Sequence, residues 1–266
     1  RNENVPVNAG SIVPLAVTLA VGGLAERVEV SSETPVIESK KQTISTNVNL
    51  DELQNIPSAR DPWVVLQTVP GIVVDRVNVG GAESGQQSNY QAKGANPDQN
   101  TWNMDGIAIT DMGSLGASPT YYDFDMFQEM QVTTGGADPA NATPGVQLNF
   151  VLRSGTSRWR GTSRYYFEND DLQSDNVSSD LFGQIASYNR VGEYKDWGVE
   201  GGGPILPNRI FAWGAYGKTE PALNVFSYDA TTNDYQQIAR DATFLENISA
   251  KVTGEVTSKT RANFTY

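Results

Sequence analysis

Strict alternation of apolar and polar side chains runs through the C-terminal part of the chain, and no other feature restricts its fold so strongly. Over 244–256, Phe244, Ile248, Ala250, Val252, Gly254 and Val256 share one face. Leu245, Asn247, Ser249, Lys251, Thr253 and Glu255 share the other. Residues 259–266 repeat the pattern, with Ala262, Phe264 and Tyr266 opposite Lys259, Arg261 and Asn263. Residues 158–168 set Trp159, Gly161, Ser163, Tyr165 and Phe167 against Arg158, Arg160, Thr162 and Arg164. A period of two places successive side chains on opposite faces of a strand. Runs of about 9–13 residues exceed the usual strand of about 5–6 and suit a tilted strand crossing a bilayer. Trp197, Phe211, Trp213 and Tyr216 are aromatics of the kind that gather at membrane interfaces. Residues 256–259 read as a tight turn, and 169–196 and 220–241 as long polar loops. Short turns at one end and long loops at the other are the asymmetry of outer-membrane barrels. A soluble β-sandwich also alternates, so both architectures fit the pattern alone.

Composition narrows the function. Only 38% of the residues are hydrophobic, and no run approaches the roughly 20 apolar residues of a spanning helix. Cys and His are both absent. Disulfides, thiol nucleophiles, Cys/His zinc sites and His-based acid–base chemistry are thereby excluded. Lys and Arg number 19 against 31 Asp and Glu, a net charge of −12, which is the wrong sign for a nucleic-acid binder. With no signature for a Ser-Lys pair or a carboxylate dyad, the chain reads as a non-enzyme with no cofactor.

Upstream, the texture is mixed. Residues 49–53 make a short helix with Asn49 as N-cap and Asp51 and Glu52 in its first turn. Residues 62–67 make a second, with Asp61 as N-cap and Pro62 first, and a third candidate covers 123–127. Residues 102–109, 127–133 and 146–152 read as strands, and the Gly- and Asn-rich stretch 80–100 as loop. Residues 11–21 look like the last strand of a small β domain, with Pro14 at an edge or bulge. The chain opens on Arg1 and ends within the strand-like run Asn263–Tyr266, so it reads as a piece of a longer protein.

Several segments resemble, in order, those of one family. They are Pro35-Val36-Ile37-Glu38, Leu53-Gln54-Asn55-Ile56-Pro57 with Arg60-Asp61, and Leu66-Gln67-Thr68-Val69-Pro70-Gly71. Lys93-Gly94, Asn103-Met104-Asp105-Gly106, Phe127-Gln128-Glu129-Met130-Gln131-Val132 and the Gly145–Asn149 run follow. Then come Ser154-Gly155-Thr156, Arg160-Gly161, Gly201-Gly202-Gly203-Pro204-Ile205 and Arg209-Ile210-Phe211. Together they resemble TonB-dependent outer-membrane receptors, and most closely the Oar-like branch with its carboxypeptidase-regulatory-like domain. Lys93 departs from the common Arg, and Gly135-Gly136-Ala137-Asp138 from the usual Arg-Gly-Pro. The resemblance implies a β-rich chain: an α+β plug domain, then the first antiparallel strands of an incomplete transmembrane barrel. It divides the chain into the end of a regulatory-like domain (1–23), a TonB-box-like linker (24–34), a plug (35–156) and roughly five barrel strands (157–266). Even the smallest transmembrane barrels need about eight strands.

The candidate sites follow. Glu26, Arg27, Val28, Glu29, Val30 and Ser31 resemble a TonB box, which would add as a strand to the energy-coupling protein. Tyr90, Tyr121, Tyr122 and Asp123 would lie in substrate-facing plug loops, although Tyr packed against the barrel wall is the plainer reading. Asp105, Asp111, Asp123 and Asp125 are oxygen ligands of the type Ca²⁺ takes. Their spacing fits no EF-hand, so they read as solvated loop carboxylates, and no metal is assigned. The glycine runs 80–81, 135–136 and 201–203 lack phosphate-loop spacing and read as turns and bulges. The leading expectation is a receptor in the outer membrane of a Gram-negative bacterium, in contact with its lipid, taking up an unidentified substrate under TonB. The alternatives are a non-transporting scaffold or adhesin of the Oar type, and a soluble secreted β-rich binding module.

Overall fold

A computed structural model describes residues 43–78, 80–81, 83–136, 143–174, 177–257 and 260–266. The regulatory-like segment and the TonB-box-like residues Glu26 to Ser31 lie outside the described residues.

The first unit is a five-stranded mixed sheet with short helices. Its strands β1 (Ile44–Asn49), β4 (Thr101–Met104), β5 (Ile107–Ala108), β6 (Phe127–Gly135) and β7 (Gln147–Leu152) lie in the order β1-β6-β7-β4-β5. Only the β4–β7 pairing is parallel. A separate hairpin pairs β2 (Ile72–Val74) with β3 (Tyr90–Ala92). Helix α1 (Leu50–Asn55) starts where the capping residues dictate: Asn49 Oδ1 accepts from the Glu52 N–H, and Glu52 returns the bond to the Asn49 N–H. Helix α2 (Pro62–Leu66) starts on Asp61, whose Oδ1 accepts from the Trp63 N–H at 2.8 Å. The third helix candidate is a single 3₁₀ turn, Phe124–Met126, capped by Asp123. The expected strand over 102–109 is two, because Asp105 (φ 49°) and Gly106 (φ 82°) turn the chain through the left-handed region. Two such residues in a row give the type I′ turn that matches strand twist. The stretch 80–100 contains β3 and is not all loop.

An aromatic core holds this unit. Phe127 stacks on Phe150 at 4.4 Å between centroids, Tyr122 meets Phe150 edge-on at 5.0 Å, and Trp102 meets Trp63, Tyr90 and Phe150. Leu66, Met130, Val132 and Leu148 fill the spaces between them. Each such side chain contributes about 1.5–3 kcal/mol on burial.

The second unit is a tall antiparallel sheet of β8 (Arg160–Asn169), β9 (Ser187–Leu206), β10 (Ile210–Asp229), β11 (Asp234–Ala242), β12 (Leu245–Thr257) and β13 (Thr260–Thr265). Its order is β13-β12-β10-β9-β8, and β11 continues the β12 edge of β10 past residues 243–244. The sheet is open. Its longest strands have 20 residues, or about 66 Å at roughly 3.3 Å per residue, about twice the hydrocarbon thickness. This corrects both loop expectations. Residues 187–196 belong to β9, and 220–229 and 234–241 belong to β10 and β11. Those stretches carry many polar residues between buried or stacked ones: Val191, Tyr194, Ala222 and Leu223 are buried, and Tyr188 stacks on Phe226. The glycines at 201–203 are likewise neither turn nor bulge but mid-strand. A Cβ on Gly203 would meet the Trp159 ring at 2.4 Å.

The two units meet through the polar face of the alternation. Asp196, Ser249 and Lys251 are buried against the first unit, while Val199, Ile248, Val256 and Phe264 face outward, each more than half exposed. A soluble sheet would turn the apolar face inward. The reversal is the dress of a barrel wall in lipid around a polar interior. Among the described residues no helix is long and apolar enough to cross a membrane.

Candidate functional site

The chemistry gathers where the first unit touches the tall sheet. Ala59 and Arg60 adopt left-handed backbone (φ 48° and 55°) just before the Asp61 cap, a strain of about 1 kcal/mol or more each. The turn presents the Arg60 side chain to the sheet. Its Nε donates to Asp196 Oδ2 at 2.8 Å and its Nη2 pairs with Asp125 Oδ1 at 2.9 Å. The guanidinium also lies 4.8 Å from the centroid of the Tyr166 ring. From β8, Arg164 donates to Asp123 Oδ1 (2.7 Å), Asp125 Oδ2 (2.9 Å) and Asp196 Oδ1 (2.8 Å). Two arginines and three carboxylates, from both units, therefore form one closed array with Asp125 and Asp196 shared. Burial alone would lower the Arg60 guanidinium's pKa, but the Asp196 and Asp125 carboxylates more than reverse that and hold it above its ordinary value.

A glycine pair makes room for the array. Gly198 and Gly217 face each other across β9 and β10. A Cβ on Gly217 would lie 2.2 Å from Asp123 Oδ2, and one on Gly198 would lie 2.6 Å from Arg164 Nη1. Two further ties complete the seam. Arg153 pairs with Glu200, which also accepts from Thr162 and from Trp213 Nε1. Lys251 Nζ donates to Asp105 Oδ1 at 2.9 Å and to the Leu152 carbonyl at 3.1 Å. A cavity of about 470 Å³ lies beside the array, between residues 53–60 and the inner face of β8.

The second feature is a cleft of about 830 Å³ formed by loops within 86–100 and 111–121. The loop that enters it brings Gly85 against Pro221 and Thr243, far along the tall sheet from the short turn at 207–209. The cleft thus lies toward the end of the sheet away from the 207–209 turn.

The anticipated residues divide between these places. Tyr90 and Tyr121 border the cleft. Tyr90 is only 2% exposed, and burial, then the nearby Tyr122, holds its phenol well above the usual range. Tyr122 is packed in the aromatic core, bonded to Ser118 Oγ at 2.6 Å, and burial raises it to about 12 against that hydrogen bond. Asp123 is held by Arg164. The carboxylates considered for Ca²⁺ do not converge on a cation, and three of the four leave solvent for ion pairs. Asp105, Asp123 and Asp125 are ion-paired, and Asp111 Oδ1 accepts from the Gly113 and Ser114 N–H groups. Among the described residues no group of three or more acidic side chains is arranged to hold a metal. Sequence reasoning did not single out Arg164, Asp196, Glu200 or Lys251. Their one signal is charge on the polar face of alternating strands.

Residues 37–146 match the family described as the TonB-dependent receptor plug domain. The chain carries a TonB-dependent receptor plug. It is 24% identical over 178 residues to the ferrienterobactin receptor of Escherichia coli K12, covering 58% of this chain and 23% of that protein. The outer membrane transporter YddB from Escherichia coli shares the fold with a TM-score of 0.61 at 12% identity, covering 83% of this chain and 32% of its own. The siderophore receptor PirA from Acinetobacter baumannii does so with a TM-score of 0.53 at 14% identity, covering 84% and 31%. The chain thus spans about a third or less of the proteins it matches. The first unit is the plug, the tall sheet is part of the barrel wall, and the protein is of the bacterial outer membrane. The proteins it resembles are receptors and transporters rather than enzymes.

Proposed function

We propose that this chain belongs to a receptor that takes up a substrate through a plugged β-barrel, energised by a TonB-type protein in contact with residues 26–31. The observation that carries the reading is the ionic seam between plug and wall. A plug that must leave its barrel cannot be fused to it by a continuous apolar core. Buried ion pairs position two surfaces closely, yet contribute little net stability, because separated charges recover their hydration. Pulling on the plug therefore trades Arg60 and Arg164 contacts for water, while Trp213 and Ala215 are the wall's side chains that join the plug's apolar cluster. The segment Glu26, Arg27, Val28, Glu29, Val30 and Ser31 would supply the handle by pairing edge-on with a strand of the partner. Substrate would enter the cleft bordered by Tyr90 and Tyr121, with Tyr122 and Asp123 supporting it from beneath. The test is cellular accumulation of substrate with and without residues 26–31. Uptake that depends on the segment supports the reading, and equal uptake sinks it.

A further inference from the structure

The connection between β8 and β9 folds onto the outside of the wall. In the upper part of the sheet Asn189 pairs with Val225 in the β9–β10 ladder, and its side chain donates to Glu83 of the plug at 3.4 Å. That face is the inner one. Alternation turns the adjoining pair, Tyr188 and Phe226, outward, together with Tyr228 and its ladder partner Tyr235 on β11. These rings form one outward cluster. Tyr188 stacks on Phe226 at 5.2 Å between centroids, and Tyr235 meets Tyr188 at 5.0 Å and Tyr228 at 5.5 Å. Residues 178–186 lie against it. Phe182 meets the Tyr235 ring edge-on at 5.4 Å, and a Cβ on Gly183 would touch the Tyr228 ring at 3.5 Å. Tyr235 Oη donates to the Ile185 carbonyl at 2.6 Å. The segment is itself coiled, by bonds from the Leu181 N–H to the Ser178 carbonyl and from the Gln184 N–H to the Leu181 carbonyl.

Resting on the reading of this chain as an uptake receptor, we propose that residues 178–186 are a fixed brace on the outside of the wall, fastened by Tyr235, and take no part in closing the mouth above the plug. The brace reaches from β9 across β10 to β11, so it ties the upper ends of three strands together. A loop that closes over a ligand must leave its resting contacts at little cost. This one would have to give up its ring contacts and the bond to the Ile185 carbonyl, and uncover the outward rings to water. Strands that complete a barrel extend this sheet from its β8 and β13 edges and leave the outward face as it is. Access to the plug on this side is then set by a rigid rim.

Two measurements on the intact receptor test this. In the first, spin labels at Ser179→Cys and Ala230→Cys, both exposed positions in a chain without native cysteine, report the distance from brace to hairpin on living cells, with and without a protonophore. One narrow distance, the same in both states, is expected. A second, longer distance in either state overturns the proposal. In the second, hydrogen exchange of the detergent-solubilised receptor is followed at residues 178–186. Tyr235→Phe keeps the ring and removes only the bond to Ile185, so exchange there should quicken roughly fivefold. Tyr235→Ala also removes the ring contacts and should quicken it further, with β12 unchanged in both. The proposal is overturned if Tyr235→Phe exchanges like the parent, and this variant decides the matter even where Tyr235→Ala fails to fold. None of these results touches the receptor reading, which stands or falls on uptake with and without residues 26–31.

Discussion

Replacing Arg164 with Met tests the ionic seam most directly. Met keeps most of the side-chain volume in the window left by Gly198 and Gly217, so the change removes charge more than packing. Arg164 is buried and donates to three carboxylates at 2.7–2.9 Å. Two of these, Asp125 and Asp196, retain Arg60. Asp123 retains no cation, and its Oδ2 already has no hydrogen-bond partner among the described residues. Only the Asp125 N–H, at 3.0 Å to Oδ1, remains to it. Removing one partner of a buried pair costs about 3–5 kcal/mol. Because Arg60 still serves the shared carboxylates, the low end, about 3 kcal/mol, is expected. With a urea dependence of about 1–3 kcal/mol/M, the plug's unfolding midpoint should fall by about 1–3 M. The assay is urea titration in micelles in which the barrel persists, followed by fluorescence of Trp63 and Trp102. Adding Asp123→Asn, which keeps the 3₁₀ cap but discards the stranded charge, should recover a large part of the loss. A midpoint within about 0.3 M of the parent, at unchanged slope, would refute the reasoning. So would a double variant no more stable than Arg164→Met alone.

Further outcomes follow from the same contacts. Gly217→Ala puts a methyl 2.2 Å from Asp123 Oδ2 and 2.7 Å from Arg164 Nη2. It should cost about 1–3 kcal/mol in the same titration and add little to Arg164→Met, since both disrupt one array. Lys251→Met strands Asp105 and the Leu152 carbonyl, so amide exchange should rise at β7 and at the Asp105–Gly106 turn before it rises at β6. Asp61 is raised by burial, against hydrogen bonds from Asn78 and Trp63, from 3.8 to about 6. The folded plug therefore binds this proton more tightly than the unfolded chain does, and its stability rises as pH falls through about 6, the gain being complete near 3.8. The difference of about 2.2 units corresponds to no more than about 3 kcal/mol. In Asp61→Asn, which keeps the Trp63 cap, this part of the pH dependence should vanish from urea titrations between pH 4 and 7.

The extent to which the chain could be read without its fold varies from place to place. Both helix starts are local events, so Asn49 and Asp61 announce them. The strands within 160–169 and 245–257 show through because one face is exposed and the other meets the plug, and the side-chain pattern records both. The upper halves of β9, β10 and β11 left no such record. Polar residues interrupt the alternation there, and backbone ladders that any polar residue can join run through them beside a few buried side chains such as Val191 and Leu223. The aspartates misled for a different reason: a carboxylate in a polar loop looks the same whether solvent, a cation or an arginine from a distant strand will face it.

What the sequence determined by itself is the period and the composition: strands, a lipid-compatible face, no thiol or imidazole chemistry, and a plug segment order matched by a known family. Only the tertiary structure decided which face turns inward, and which charges meet. Asp196 and Arg60 lie 136 positions apart in the chain, and Lys251 and Asp105 lie 146 apart. Pairings at such separations depend on the docking of two units and leave no periodic trace in either. The physical reason is that alternation is set residue by residue by the pleat of a strand, whereas a charge's partner is set by the shape of whatever is packed against it.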